Sequence, residues 1–369
     1  MAADHVHRAG PGPQPQGPAA GPGLALSEQA DASARRKADH LRVVLDGDVA
    51  HVGLTTGLEG VRLAARALPG HDLDTVDLSV RAFGTTLGAP VLISCMTGGT
   101  GDAGPVNAAL AAAAQHHRVA LGLGSGRVLL QGGDPASFEV RDIAPDVPLL
   151  ANLGAVQLAE VGLDGCHELV ERTRADALVL HLNAVQEAVQ PEGDTGFGDV
   201  LGRIADVVAG LGVPVVAKEV GFGMAADDVR ALVDTGVAAI DVAGAGGTNW
   251  ARVEGHRDTD AGAIAAAFVD WGWSTHDSLV AAMGVLGDAP ADRRPLLIAS
   301  GGLAHGVDAV KCLCLGADLV GFGRRLIAAG AEGPERATSA LGTLVQQMRI
   351  AVWGIGATRP SDLGTAHLA

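Results

Sequence analysis

The sequence predicts an α/β protein built as a closed (β/α)8 barrel, and three observations carry that expectation. Short apolar runs rich in β-branched residues recur along the chain, most of them starting about 25–35 residues apart, the length of one strand–helix unit. The runs are continuous rather than alternating, the mark of strands covered on both faces in a parallel sheet. Eight such units within 369 residues suit a barrel that closes on itself. An open doubly wound sheet is the rival arrangement, but the Gly-x-Gly-x-x-Gly turn after its first strand is missing.

Residues 1–32, with the tract AGPGPQPQGPAAGPG, are low in complexity and cannot bury a core, so a disordered tail is expected there. Folded sequence is expected from Ser33: a short N-terminal extension over 33–89, barrel strands over 90–330, and a C-terminal helix and tail over 331–369. The expected strands are Pro90–Ser94, Val119–Leu121, Pro148–Asn152, Ala177–Leu182, Pro214–Lys218, Ala239–Val242, Pro295–Ser300 and Asp318–Gly321. Between them, Ala225–Thr235 and Gly306–Leu315 have helical periodicity, with Asp227 and Asp308 in first turns, where the helix dipole favours negative charge. The overlong gap between Val242 and Pro295 holds an insert, Asn249–Trp273, placed where a barrel keeps a lid or ligand loop.

Composition narrows the function. Lys and Arg number 26 against 42 Asp and Glu, a net charge of −16, which argues against nucleic-acid and anionic-membrane partners. Aromatics are 3% of the chain and Tyr is absent, too few for stacking single-stranded bases. An anionic substrate must therefore be held by a local cationic cluster. Cys95, Cys166, Cys312 and Cys314 have neither disulfide-framework nor zinc spacing and read as buried thiols of a reducing compartment. With no run of 18 apolar residues and no apolar signal core at the N-terminus, a cytoplasmic location is expected.

The unusual motifs follow the predicted strands, on the face where barrel active sites assemble. They are Cys95-Met96-Thr97-Gly98-Gly99, Gly124-Ser125-Gly126-Arg127, Asn152, His181-Leu182-Asn183 with Gln186-Glu187, Lys218-Glu219, Gly246-Gly247-Thr248, Ser300-Gly301-Gly302 and Gly323-Arg324. Gly301-Gly302, read as opening a helix, and Gly321–Arg324 after the last strand match a barrel phosphate site of backbone N–H groups. A mononucleotide anchored there would lay its ring across the barrel mouth. Lys218, at a strand end inside the barrel, needs a partner. Pairing with Glu219 is disfavoured because strand neighbours point to opposite faces, whereas a Lys beside a flavin's pyrimidine edge stabilises the anionic reduced ring. Glu187 near an oligophosphate suits magnesium, which takes one or two carboxylates and completes its octahedron with phosphate and water. Arg35-Arg36-Lys37 with His40 is either countercharge for such a substrate or a solvated charge run. A Ser-His-Asp elbow and an HExxH site are both missing, so the chemistry is expected to be driven by a cofactor.

In this order the strings resemble the type 2, flavin-dependent isopentenyl-diphosphate isomerases. The match runs from about Arg36 to Leu363 and rests on RKADH (36–40), MTGG (96–99), HLNAVQE and QPEGD within 181–194, KEVG (218–221), DVAGAGGTNWARVE (241–254), DWG (270–272), and ASGG with GVDAVKCLCLGAD within 299–318. The resemblance implies an FMN-binding TIM barrel forming homotetramers or homo-octamers and using magnesium and a reductant such as NADPH. It implies that Arg36, Lys37, Ser125, Arg127, His181, Asn183 and Gln186 hold the substrate, with Gln186 also catalytic. Glu187 would bind magnesium, and FMN would contact Met96, Thr97, Ser125, Asn152, Lys218, Thr248, Gly301, Gly302, Gly323 and Arg324. There are departures. Gly126 replaces a usual Gln or Met, which is expected to loosen its turn; Leu303-Ala304-His305 stands where an Ile-Arg pair is common; Gly323 stands for a usual Ala.

The implied reaction moves the double bond of isopentenyl diphosphate to give dimethylallyl diphosphate. An unactivated alkene is a very weak base, so the site must deliver a proton at close range and stabilise a cation-like state in a dry pocket. Reduced FMN is the expected acid and base. The alternatives are a prenyl cyclase on a longer substrate, an FMN-dependent oxidoreductase on the same fold, and a non-catalytic flavin-binding scaffold. The oxidoreductase would need a His-Gly-x-Arg clamp, and His305-Gly306-Val307-Asp308 lacks the Arg.

Overall fold

Both faces of each predicted strand are apolar, so each needs cover on two sides, and closure into a barrel supplies it. The computed structural model describes residues 36–287, 290 and 294–369; the expected tail over 1–32 and Arg35 lie outside the described residues. The first strands, β1 (Val80–Ala82) and β2 (Thr85–Leu87), form an antiparallel hairpin absent from the sequence reading. Its two-residue turn has Phe83 at φ 48° and Gly84 at φ 76°, the left-handed pair that matches strand twist in tight hairpins. Then come the barrel strands: β3 (Val91–Ile93), β4 (Ala120–Gly122), β5 (Leu149–Gly154), β6 (Ala177–Leu182), β7 (Val215–Glu219), β8 (Ala239–Asp241), β9 (Leu296–Ala299) and β10 (Leu319–Phe322). They are parallel throughout, and β10 pairs back onto β3 to close the ring.

The period of two sorts each strand between two cores. Val91, Ile93, Leu178, Leu180, Ile240, Leu297 and Val320 face outward into the layer shared with the helices. Leu92, Ala120, Leu150, Val179, Val216, Ile298 and Leu319 face inward and pack with Ala82 and Leu87 of the hairpin, which plugs the N-terminal end of the barrel. Toward the other end the inward positions become polar or empty: Asn152, His181, Lys218, Asp241 and Ser300, with glycine at 122 and 321. A stable plugged lower half thus carries an open polar upper half.

The helical residues 36–46 (α1) precede the barrel. The helices that follow are α2 (Ala103–His117), α3 (Arg127–Leu130), α4 (Leu158–Thr173), α5 (Ala184–Val189), α6 (Val200–Gly210), α7 (Ala226–Asp234), α8 (Trp250–Gly255), α9 (Thr259–Ala265), α10 (Thr275–Leu286), α11 (Gly306–Cys314), α12 (Arg324–Ala331) and α13 (Pro334–Gly354). The predicted insert folds as α8 and α9 and packs on Val189 and Phe222. One local expectation is corrected: Gly301-Gly302 opens no helix. Both lie at positive φ (101° and 70°) in a turn against the 244–246 backbone, where an added Cβ would overlap Gly244 and Gly246. The helix begins at Gly306, capped by His305. All four cysteines are buried and unpaired, and no described helix is long and apolar enough to cross a membrane.

Candidate active site

The open upper half of the barrel is a cavity of about 640 Å³. Every residue that the resemblance assigns to substrate, metal or FMN lines it: Arg36, Lys37, Met96, Thr97, Ser125, Arg127, Asn152, His181, Asn183, Gln186, Glu187, Lys218, Thr248, Gly301, Gly302, Gly323 and Arg324. Strand ends make its floor, while α1 and Trp250 of α8 stand at its mouth.

On the floor, strand register supplies the partner Lys218 requires. Lys218 lies opposite Asp241 in the β7–β8 ladder, and its Nζ donates to Asp241 Oδ2 at 2.8 Å and to Ser300 Oγ at 3.3 Å. Ser300 in turn donates to Asp241 Oδ1 (2.6 Å). Asp241 is fully buried. Glu219 points elsewhere, its Oε2 accepting the backbone N–H groups of Gly221, Phe222 and Gly223 at 2.6–3.1 Å. Burial pushes the Glu219 carboxyl up to about 7, against the pull of those three donors toward the ionised form.

His181 sits in the same layer, opposite Lys218. Its Nδ1 is 2.7 Å from Asn152 Oδ1, which can only accept, so the proton is on Nδ1 and Nε2 carries a lone pair. Burial, and then the charges of Lys218, Lys37 and Arg36, push His181 down to about 3. Burial raises the neighbouring Cys95 thiol to about 11, a core thiol rather than a nucleophile.

At the rim, Arg36, Lys37 and Arg127 form a cationic cluster on a strongly acidic protein. Lys37 donates to Ser125 O and lies 5.7 Å from the centre of the Phe138 ring. Burial, with Arg36 and Arg127 nearby, brings its ammonium down to about 7. Arg127 is tied to Glu160 (3.0 Å). The Gln190 amide oxygen, turned toward Arg36, accepts from Nη1 at 2.9 Å.

Asn183 precedes α5 and organises its first turn. Its Nδ2 donates to Gln186 Oε1 (3.2 Å) and Glu187 Oε1 (2.9 Å), and Glu187 Oε2 accepts the Asp194 N–H (2.7 Å). Gln186 Nε2 donates to Glu254 Oε1 (2.6 Å). Glu254, on α8, is fully buried, 2.9 Å from His40 Nε2 and 2.5 Å from Arg257. Burial raises its carboxyl, but His40, Gln186 and Arg257 together bring it down to about 2. Asp241, Glu254 and Gln190 escaped sequence reasoning as site residues. The strings DVAGAGG and RVE mark the first two, but only register and lid packing reveal their partners.

Two further positions have packing that the sequence did not reveal. Arg324 directs a guanidinium N–H to Gly47 O (2.8 Å), tying α1's end to the last strand loop. A side chain at Gly126 would overlap Leu169 of α4, and Gly126 N donates to Asn152 O at 2.7 Å. The turn is therefore held, and a residue there packs on α4 rather than loosening the cavity.

The residues fit a flavin mononucleotide. A Cβ at Gly323 would press only on the flexible end of Met96 (Sδ at 2.5 Å), so the wall there is backbone and one thioether, open to a planar group. Two buried polar atoms that line the cavity, Ser94 Oγ and Asn183 Oδ1, have no partner among the described residues. For a magnesium ion the donors are oxygens of the right kind, the Glu187 carboxylate and Asn183 Oδ1. No group of three or more His, Cys, Asp or Glu is gathered among the described residues, so ligand oxygens would have to complete the shell.

The FMN-dependent dehydrogenase family model matches residues 182–369. An isopentenyl-diphosphate delta-isomerase of Synechococcus sp. is 48% identical over 320 residues, covering 86% of this chain and 90% of the relative. One from Xanthobacter autotrophicus is 46% identical over 339 residues, covering 91% and 97%. A flavocytochrome b2 variant solved with benzoylformate superimposes with a TM-score of 0.68 at 17% identity, covering 94% of this chain and 86% of that one, a likeness of fold alone.

Proposed function

The chain belongs to the isopentenyl-diphosphate delta-isomerase family, and on that premise we propose how its barrel mouth works. The protein is an FMN-dependent isomerase interconverting isopentenyl and dimethylallyl diphosphate. When bound and reduced, FMN supplies a proton donor and acceptor next to the alkene and an electron-rich face for positive charge.

The remaining work falls to the chain. Lys218, held by Asp241 and Ser300, would lie beside the cofactor ring and favour negative charge on it. Arg36, Lys37 and Arg127 hold the diphosphate, with His181 and Asn183 beside them. Glu187, oriented by Asn183 and the Asp194 N–H, is the carboxylate that would hold a magnesium ion against that head group. Gln186 is fixed between Asn183 and Glu254, so its amide is a rigid guide for the alkene rather than a flexible side chain. Trp250 and the apolar face of α1 (Leu41, Val44, Leu45) keep water from the cation-like state. NADPH is the proposed reductant, and a cytoplasmic homotetramer or homo-octamer the proposed setting.

The observation that carries this reading is a single cavity joining a cationic rim, one structured carboxylate and a buried Lys–Asp floor. Anaerobic incubation of the reduced holoenzyme with isopentenyl diphosphate in D2O tests it. Deuterium should enter the dimethylallyl product without stoichiometric NADPH consumption. Oxidation of NADPH in step with product would favour the oxidoreductase instead. Against that alternative, His305 is no part of the cavity lining and caps α11.

A further inference from the structure

The turn after Gly301-Gly302 carries no cation: Leu303 and Ala304 line the cavity there, and His305 Nδ1 accepts the Asp308 N–H at 3.2 Å. Arg324 has turned toward Gly47. Arg325, the next residue, is exposed at the cavity edge and has a different partner. Its Nη1 donates to Ala304 O at 2.9 Å, it lines the same cavity, and its other guanidinium N–H groups have no partner among the described residues. Arg324 and Arg325 also open α12, where the helix dipole disfavours positive charge, with no acidic residue in that turn and no side-chain cap at Gly323. Two adjacent cations on an uncapped helix start, beside a glycine turn emptied of side chains, make an arrangement that favours an anion.

We propose that Arg325 is a cofactor-binding residue, the cation that holds the FMN phosphate in place of the one missing after Gly302. The assignment rests on the reading of the cavity as an FMN site. A guanidinium already fixed through one N–H presents its others in a preset fork, which suits a phosphate dianion.

The test compares FMN with riboflavin, which has the same ring and no phosphate, by flavin-fluorescence titration of flavin-stripped protein. Arg325→Ala and Arg325→Gln should each weaken FMN by about tenfold or more, the scale of one charge-assisted hydrogen bond, and leave riboflavin unchanged. Retained riboflavin binding also reports that the barrel is folded. Gln at 325 keeps an N–H for Ala304 O but not the charge. FMN affinity preserved in Arg325→Gln and lost in Arg325→Ala would mean a tether only, and would overturn the proposal. So would equal losses of FMN and riboflavin, or no loss at all. If the unaltered protein binds riboflavin as tightly as FMN, the phosphate site itself is wrong and the proposal falls with it; discrimination by the unaltered protein with no effect at 325 sinks the Arg325 assignment alone.

Discussion

Lys37 and His181 border the same cavity and are both pushed toward neutrality, to about 7 and about 3. A diphosphate brought against them favours their charged forms, so substrate binding should take up protons. The sign follows from Lys37: it is charged below pH 7 and largely neutral above it in the free protein. Apparent affinity should therefore fall as pH rises through 7, and calorimetry at pH 8 in buffers of different ionisation enthalpy should show uptake of about one proton. Lys37→Arg, which cannot deprotonate in this range, should abolish most of that uptake; binding heats independent of buffer would contradict the assignment. Glu187→Gln separates the metal from the flavin. It keeps the volume and an acceptor for Asn183, so FMN should stay bound while isomerisation drops by about 100-fold or more, the loss expected when an electrostatic clamp fails. Residue types in the cavity were readable from sequence because the strand-end strings are polar islands in apolar runs. The Lys218 partner was not, since Asp241 becomes its neighbour only through the β7–β8 register.

At the level of elements, the cover over the cavity is a strap. Residues 47–54 run from α1 across the mouth, and side chains from three sources pin them. Arg324 donates to Gly47 O, Arg252 to Ala50 O, and Asp270 Oδ1 accepts the N–H groups of Val52, Gly53 and Leu54 at 2.7–2.9 Å. Since α1 brings Arg36 and Lys37 to the substrate, the strap's anchorage should matter for substrate more than for flavin. Asp270→Ala removes three acceptor contacts at once. Amide hydrogen exchange over 47–54 should accelerate and KM for isopentenyl diphosphate should rise several-fold, while FMN affinity holds. A parallel loss of FMN would show that the strap supports the floor as well. Each predicted strand formed within two residues of its apolar run, because burial on both faces leaves a strong local signal. The β1–β2 hairpin left none: its few apolar residues acquire meaning only when they plug a closed ring. Gly301-Gly302 misled for a related reason, since a glycine pair before a helical period reads as its start, whereas close approach to the 244–246 backbone demands glycine there.

Across the whole molecule, stability and chemistry occupy opposite ends of one barrel. The lower interior is apolar, so Ile298→Ala, deleting a fully buried side chain, should cost about 2–5 kcal/mol whether or not flavin is present. The upper interior holds a buried Lys–Asp pair, which is weak support for a fold because desolvation offsets the attraction. Asp241→Asn should destabilise by about 3–5 kcal/mol, because it strands Lys218 without its counter-charge. The double variant Lys218→Met with Asp241→Leu should recover most of that loss and still lack isomerase activity. Flavin should behave as part of the upper core. With Ser94 Oγ unpaired beside an open cavity, FMN at about 100 times its Kd should add about 2.7 kcal/mol and raise Tm accordingly. Thermal scans of flavin-free and FMN-loaded protein, run on the unaltered chain and on the double variant, check both statements together. If the double variant melts as low as Asp241→Asn alone, the pair is a structural necessity, and the division of the barrel into a supporting end and a working end is wrong.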